Sequence, residues 1–107
     1  MNDATMLATA LDLQGNGAEA IPLLQAVLAS HPDSHDAHYL LGKIWLAQGK
    51  AADAAAQLVE AVRLKPDDAS AHYQLANAYR QLDDQARADE QLEIYRTLKD
   101  AQRGRRP

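Results

Sequence analysis

The sequence AHYLLGKIWLAQGKAADAAAQLVEAVRLKP, at residues 37–66, is followed by a second version of itself, AHYQLANAYRQLDDQARADEQLEIYRTLKD, at residues 71–100. The two stretches align at an offset of 34 residues, and residues 1–34 repeat the pattern with more differences. Positions that recur in all three copies are Leu7, Leu41 and Leu75, then Ala20, Ala54 and Ala88, then Leu24, Leu58 and Leu92. A fixed period of about 20–50 residues is the signature of repeat architectures. The sequence therefore predicts three units, at residues 1–34, 35–68 and 69–102.

Each unit is predicted to form two helices, because large and small apolar residues recur within it at the helical period. In the middle unit, Gly49 is placed to end the first helix in the left-handed conformation. A second helix is expected from about Ala52 to Leu64, and Pro66 prevents it from continuing. Asp67 or Asp68 can cap the helix that follows. The expected fold class is all-α, with about six helices.

The spacing of these residues resembles the tetratricopeptide repeat along its full 34 positions. The matching residues of the middle unit are Leu41, Gly42, Trp45, Ala54, Leu58, Ala61 and Pro66. The resemblance implies a right-handed α-solenoid over residues 1–102, followed by a basic C-terminal tail at residues 103–107. It also implies a scaffold or adaptor that binds a protein or peptide partner, and it does not imply an enzyme.

The outer units depart from this pattern. Val27 stands where the family has Ala, and Pro22 interrupts the second helix of unit one, so that a late start or a local kink is expected. In unit three, Tyr95 stands where the family has Ala and Asp100 where it has Pro. Family arrays often end in a closing helix, which is expected to be missing here, so Tyr95 and Leu98 would face its position. Either Tyr95 shields this end, or the end is an assembly surface for a second copy, or the chain is a fragment.

The charge of the chain changes along its length. The net charge of −4 divides into −4 for residues 1–34, −1 for residues 35–68 and +1 for residues 69–107. An acidic head and a basic tail favour head-to-tail contact between copies, which would make a homo-oligomer and would weaken as salt rises. The same gradient is compatible with an acidic partner or with a solvated terminus.

The resemblance also implies where a ligand would bind. The first helix of each pair lines a concave groove in this family, and the positions that face it fall on Tyr39, Lys43, Leu46, Tyr73, Asn77 and Arg80, together with Asn2, Thr5, Thr9, Asp12, Asp36 and Ser70. Two tyrosines one repeat apart can act as aromatic platforms, and the Asn77 amide can both donate to and accept from a peptide backbone. Alternatively, the tyrosines are half-buried packing residues and the cations Lys43 and Arg80 are solvated.

One ligand class of the family is not expected. Members that bind the C-terminal carboxylate of Hsp70 or Hsp90 use a clamp of Lys, Asn and Arg side chains. The corresponding positions here hold Thr5, Thr9, Leu40, Ser70 and Gln74. The clamp residues are therefore missing, and an internal peptide segment or a folded partner remains open.

Catalytic and metal sites are not expected either. The chain has no Cys, which excludes disulfides, a thiolate nucleophile and Cys-based zinc sites. The cluster of His31, His35 and His38 suggests a metal, but His38 and His72 occupy matching repeat positions, which favours packing. Serines lie near helix ends, where Ser serves as a cap, and no Gly-rich phosphate loop follows a strand. We therefore predict no enzyme activity, no cofactor and no metal.

Nucleic-acid and membrane partners are not expected. Phosphate binding needs clustered cations, and the only local basic patch consists of Arg96, Lys99, Arg103, Arg105 and Arg106. No stretch approaches the roughly 20 apolar residues that span a bilayer. No positive residue precedes an apolar run at the N-terminus, so a secretory signal is not expected and the location is predicted to be cytoplasmic.

Overall fold

The computed structural model describes residues 3–104, which form six helices and no strand. The helices are α1 (Asp3–Leu13), α2 (Gly17–Ser30), α3 (His35–Ala47), α4 (Ala51–Leu64), α5 (Ala69–Gln81) and α6 (Gln85–Gly104). Each odd-numbered helix packs against the helix after it, and α2 against α3 and α4 against α5 join successive pairs. The predicted all-α solenoid of three helix pairs is therefore confirmed.

A left-handed residue ends the first helix of every pair. Gly49 has φ +79°, as its position predicted, Gly15 has φ +83°, and Asp83 takes the same place in the third pair with φ +59°. The amide after each of them donates to a carbonyl five residues back, at 2.7–2.9 Å. Asp is one of the few residues other than Gly that tolerate this conformation, so the turn survives without glycine.

Side-chain caps begin three of the later helices. The Ser34 hydroxyl accepts from the Ala37 amide at 3.2 Å, and Asp68 Oδ1 accepts from the Ser70 amide at 3.0 Å. Asp84 caps α6 in the same way. Of the two candidates that the sequence offered for α5, Asp68 is the one that caps it.

Four leucines form the centre of the core. Leu24 and Leu41 are fully buried in the cluster that joins the first and second pairs, and Leu58 and Leu75 in the cluster that joins the second and third. Leu7 matches Leu41 and Leu75 in the repeat, yet 52% of its surface is exposed. No helix precedes α1 in the described part of the chain, so burial at this position depends on the neighbouring pair and not on the residue.

The small residue Gly42 permits the close approach of α3 and α4. A Cβ at this position would lie 2.6 Å from Leu58 Cγ and 3.2 Å from the Ala54 carbonyl oxygen. The position holds Ala8 and Ala76 in the other units, both fully buried. The middle pair is therefore packed more tightly than the outer two at this point.

The repeated histidines tie the second and the third helix pair to the turn before each of them. His38 Nε2 donates to the Pro32 carbonyl at 2.8 Å, and His38 Nδ1 lies 2.8 Å from the Gln57 side-chain amide. His72 makes the same two contacts, with the Pro66 carbonyl and with Gln91, at 2.7 Å each. These contacts give both histidines a packing role. Within residues 3–104, no three His, Cys, Asp or Glu side chains are grouped so that they could hold a metal ion.

Two details of the second helices differ from the plain repeat. Pro22 does not delay its helix, since α2 begins at Gly17, which matches Ala51 at the start of α4. The expected late start is therefore wrong, and the proline lies exposed inside a continuous helix. In the third pair α6 continues through Asp100, where a proline would have stopped it, and reaches 20 residues against 14 for α4.

Candidate functional site

The first helices of the three pairs form one continuous surface, called here the α1–α3–α5 face. Besides their neighbours in sequence, α1 contacts α3 and α3 contacts α5. Two adjoining hollows lie on this face, and both are bordered by Lys43. The N-terminal hollow, about 300 Å³, is lined chiefly by Thr9, Asp12, Leu13, Asp36, Tyr39 and Lys43. The amide hollow, about 430 Å³, is lined chiefly by Lys43, Leu46, Gln74, Asn77, Arg80 and Gln81.

Lys43 is held by an acid from the first pair. Its Nζ lies 3.1 Å from Asp12 Oδ2, so an ion pair bridges α1 and α3 between the two hollows. The N-terminal hollow also contains Asp36 and Asp68. Its lining is therefore rich in carboxylates, and its one lysine is already shared with one of them.

His35 fixes the position of α5 relative to α3. Its Nδ1 lies 2.9 Å from the Ala61 carbonyl oxygen, and its Nε2 lies 2.8 Å from Asp68 Oδ2. Both oxygens are acceptors, so the two contacts are hydrogen bonds at the same time only when both ring nitrogens carry a proton. The His35 ring stacks on Tyr39, with 6.3 Å between ring centroids. Because Asp68 also caps α5, this cluster connects the end of α4, the start of α5 and the first turns of α3.

The amide hollow has a different chemistry. Three side-chain amides, of Gln74, Asn77 and Gln81, line it together with the Arg80 guanidinium, and no acidic residue does. Within residues 3–104 these four side chains form no side-chain hydrogen bond or ion pair with one another or with other residues. Their donors and acceptors are therefore available to a ligand.

The structure distributes the predicted groove residues over both hollows. Tyr39 and Lys43 line the N-terminal hollow, and Asn77 and Arg80 line the amide hollow together with Lys43. Leu46 reaches the amide hollow but is buried in the core cluster of the second and third pairs, so it offers little surface. That these residues bind a ligand remains a prediction.

Two other predicted positions lie elsewhere. Tyr73 lines neither hollow, and its ring packs on Tyr95 of α6 with 5.1 Å between ring centroids and an interplanar angle of 46°. A predicted groove residue and a predicted self-association residue thus contact each other, with Tyr73 still 43% exposed. Thr5 is buried, so the expectation that it faces a ligand is wrong. Asn2 lies outside the described residues.

The C-terminal end carries the second predicted surface. Tyr95 and Leu98 are half-buried on α6, and Ile94 is exposed beside them. The basic stripe of this helix is partly neutralised, because Arg96 pairs with Glu93 at 3.6 Å and Arg103 pairs with Asp100. Arg105 and Arg106 of the predicted basic patch lie outside the described residues.

Sequence reasoning missed part of the amide hollow and the link formed by His35. The predicted groove residues do not include Gln74, which occupies a position of the absent clamp, or Gln81. Both could have been found from the repeat, because they place an amide where the middle unit has Leu40 and Ala47. His35 gave no such signal, since the matching residue of the third unit is Ala69.

One exposed ion pair on α4 changes the pKa of its acid. A hydrogen bond from Arg63 lowers the pKa of the Glu60 carboxyl. The pair is exposed on α4, with 2.8 Å between the Arg63 guanidinium and Glu60 Oε2.

No helix within residues 3–104 is both long and apolar enough to cross a bilayer.

Comparisons with known proteins agree with this architecture. A family model described as tetratricopeptide repeat matches residues 5–61, and a second, described as TPR repeat, matches residues 44–83. The structure of MamA 41-end from Desulfovibrio magneticus RS-1 is 25% identical, with a TM-score of 0.84 over 92% of this chain and 56% of that chain. YrrB, described as a TPR protein with an unusual peptide-binding site, is 22% identical, with a TM-score of 0.80 over 92% of this chain and 52% of that chain. The chain thus spans little more than half the length of these proteins, and no match was found among curated proteins.

Proposed function

The chain belongs to the tetratricopeptide repeat family, whose members are protein-interaction modules, and from this premise we propose that it binds an extended peptide segment of a partner protein on the α1–α3–α5 face. It would act there as a scaffold or adaptor, without catalysis, cofactor or metal. The description of YrrB as having a peptide-binding site supports the proposal by analogy of fold alone. The cytoplasmic location expected from the sequence stays a prediction.

The observation that supports the proposal most is the set of unengaged amides in the amide hollow. An extended peptide presents backbone N–H and C=O groups along its length, and each of them needs a partner when it leaves water. The side chains of Gln74, Asn77 and Gln81 each offer two donors and an acceptor. A row of such amides suits main-chain recognition, which tolerates a range of side chains in the ligand.

Association of copies through the chain ends ranks second. Leu7 favours it, because the matching leucines are buried by a preceding helix and Leu7 is not. Tyr95 opposes a simple continuation of the solenoid, since it is bulky where the middle unit has the fully buried Ala61. It also packs on Tyr73 of its own chain. We therefore place the working surface on the α1–α3–α5 face.

We expect Asn77→Ala to weaken peptide binding about threefold to tenfold, the usual range for one neutral hydrogen bond. The probe is a fluorescent synthetic peptide selected on the immobilised wild-type chain from a random-peptide phage library, and the readout is fluorescence anisotropy. Gln25→Ala, which removes an exposed amide from α2, is the matched control and should bind as the wild type does. Equal affinity of all three proteins for every selected peptide would place the ligand on another surface and contradict the proposal.

A further inference from the structure

The arginines of the chain follow one pattern with a single exception in residues 3–104. Arg63, Arg87, Arg96 and Arg103 each pair with an acid three residues earlier on the same helix. The residue three positions before Arg80 is Asn77, and no acid within the described residues pairs with Arg80. Among the arginines of residues 3–104, Arg80, which lines the amide hollow, is thus the one without a paired carboxylate.

The second cation of the amide hollow is already engaged. Lys43 of α3 forms an ion pair with Asp12 of α1. Its positive charge contributes to the hollow, but a ligand must share its ammonium group with Asp12. A carboxylate that enters the hollow can accept hydrogen bonds from Arg80, whose donors are available. It must compete with Asp12 for the ammonium group of Lys43. Arg80 is therefore the main ionic contact, and Asp12 sets how much Lys43 adds.

The neighbouring hollow limits how much negative charge a ligand can carry. Asp36 lines the N-terminal hollow, is exposed, and forms no ion pair within residues 3–104. Asp12 and Asp68 lie in the same lining. A run of acidic residues along the face would be repelled there, whereas one acid at the α5 end would not.

We propose that the amide hollow is a subsite for a single Asp or Glu side chain within the bound peptide, an inference that rests on the proposed function. The Arg80 guanidinium donates to the carboxylate, a geometry in which arginine can use two parallel hydrogen bonds. The Asn77 amide donates to the same carboxylate or to the adjacent backbone, and Gln74 and Gln81 pair with the main chain. The partner class is an internal segment with one acidic residue, which differs from a C-terminal tail held by a lysine and asparagine clamp.

The test uses the full chain and peptides selected from the phage library described above. Most selected peptides are expected to carry one Asp or Glu, and Arg80→Gln is expected to lower their affinity about tenfold or more, as for a charged hydrogen bond. Replacing the Asp or Glu of the peptide by Asn or Gln should lower the affinity by a similar factor. Combining that replacement with Arg80→Gln should lower the affinity little more than either change alone. The control, Arg63→Gln, removes the same charge from α4 and should leave binding unchanged.

The role of Asp12 gives a second readout. Asp12→Asn should raise the affinity of acid-containing peptides about two- to threefold by releasing Lys43 from a partly exposed ion pair. Asp53→Asn, the same change on an exposed residue of α4, should raise it less. Selected peptides without an acid, whose binding is weakened by Asn77→Ala but not by Arg80→Gln, would overturn this inference and leave the proposed function standing. Peptides that none of the variants on this face affect would overturn both.

Discussion

Leu58→Ala is expected to lower the free energy of unfolding by about 2–5 kcal/mol, the range for truncating a fully buried leucine. Leu58 is completely buried, and it fills the space that Gly42 leaves between α3 and α4. It also belongs to the core cluster that joins the second and third helix pairs, together with Leu75. Since each pair of a solenoid depends on its neighbours, the cavity weakens two interfaces together.

Denaturant unfolding followed by circular dichroism measures this loss. Val59→Ala is the matched control, because Val59 is the next residue on the same helix and is 40% exposed. It should cost less than about 1 kcal/mol, as surface substitutions usually do. Equal losses for the two variants would mean that the core between the second and third pairs is not where the structure places it.

Asp68→Ala is expected to cost about 2–3 kcal/mol, because one carboxylate serves two elements. Its Oδ1 caps α5, and loss of a cap costs about 0.5–2 kcal/mol. Its Oδ2 accepts from His35, which is mostly buried, and a hydrogen bond to a charged group is worth about 1.5–3 kcal/mol. The two losses overlap in the same small region, so we do not expect them to add fully.

The adjacent residue provides the control for this prediction. Asp67→Ala removes an exposed carboxylate that forms no hydrogen bond or ion pair within residues 3–104, and it should change stability by less than about 0.5 kcal/mol. His35→Ala should reproduce part of the Asp68→Ala loss, since it removes the shared bond and leaves the cap. Thermal unfolding of the three variants gives the comparison. If Asp67→Ala proved as costly as Asp68→Ala, the assignment of the cap and of the His35 bond would be wrong.

The repeat made the fold predictable because its signals are local. A glycine that ends a helix, a proline that stops one and a leucine at the helical period act through their own few residues of chain. Gly49 therefore has the predicted positive φ. From the sequence, Asp67 and Asp68 are equal candidates for the cap of α5, because a shift of the helix start by one residue exchanges them.

What the repeat could not predict depends on neighbours that differ between the units. Leu7 and Leu41 occupy the same repeat position, yet one is half exposed and the other buried, because within residues 3–104 only the second has a helix before its own. Tyr73 lies one repeat after Tyr39, and the repeat predicts that it is a second aromatic platform of the groove. Its ring instead meets Tyr95, a residue whose counterpart in the middle unit is Ala61.

The candidate site was predictable to a similar extent. The first helices supply its residues, as the resemblance implied, so Lys43, Asn77 and Arg80 could be named from the repeat. The Lys43–Asp12 contact could not, because it joins residues of different units. The His35–Asp68 contact joins the two ends of the middle unit, and it has no counterpart in the third unit, which has Ala69 in place of His35. These unique contacts divide the α1–α3–α5 face into a carboxylate-rich half and an amide-rich half.

The most direct test of peptide binding on this face is a nuclear magnetic resonance titration of the isotope-labelled chain with a selected peptide. The account predicts that the largest shift changes fall on backbone amides of α3 and α5 around Lys43 and Asn77, and on the side-chain amides of Gln74, Asn77 and Gln81. Amides on α2 and α4 should move little. Changes confined to α4, or to the chain ends around Leu7 and Ile94, would contradict it.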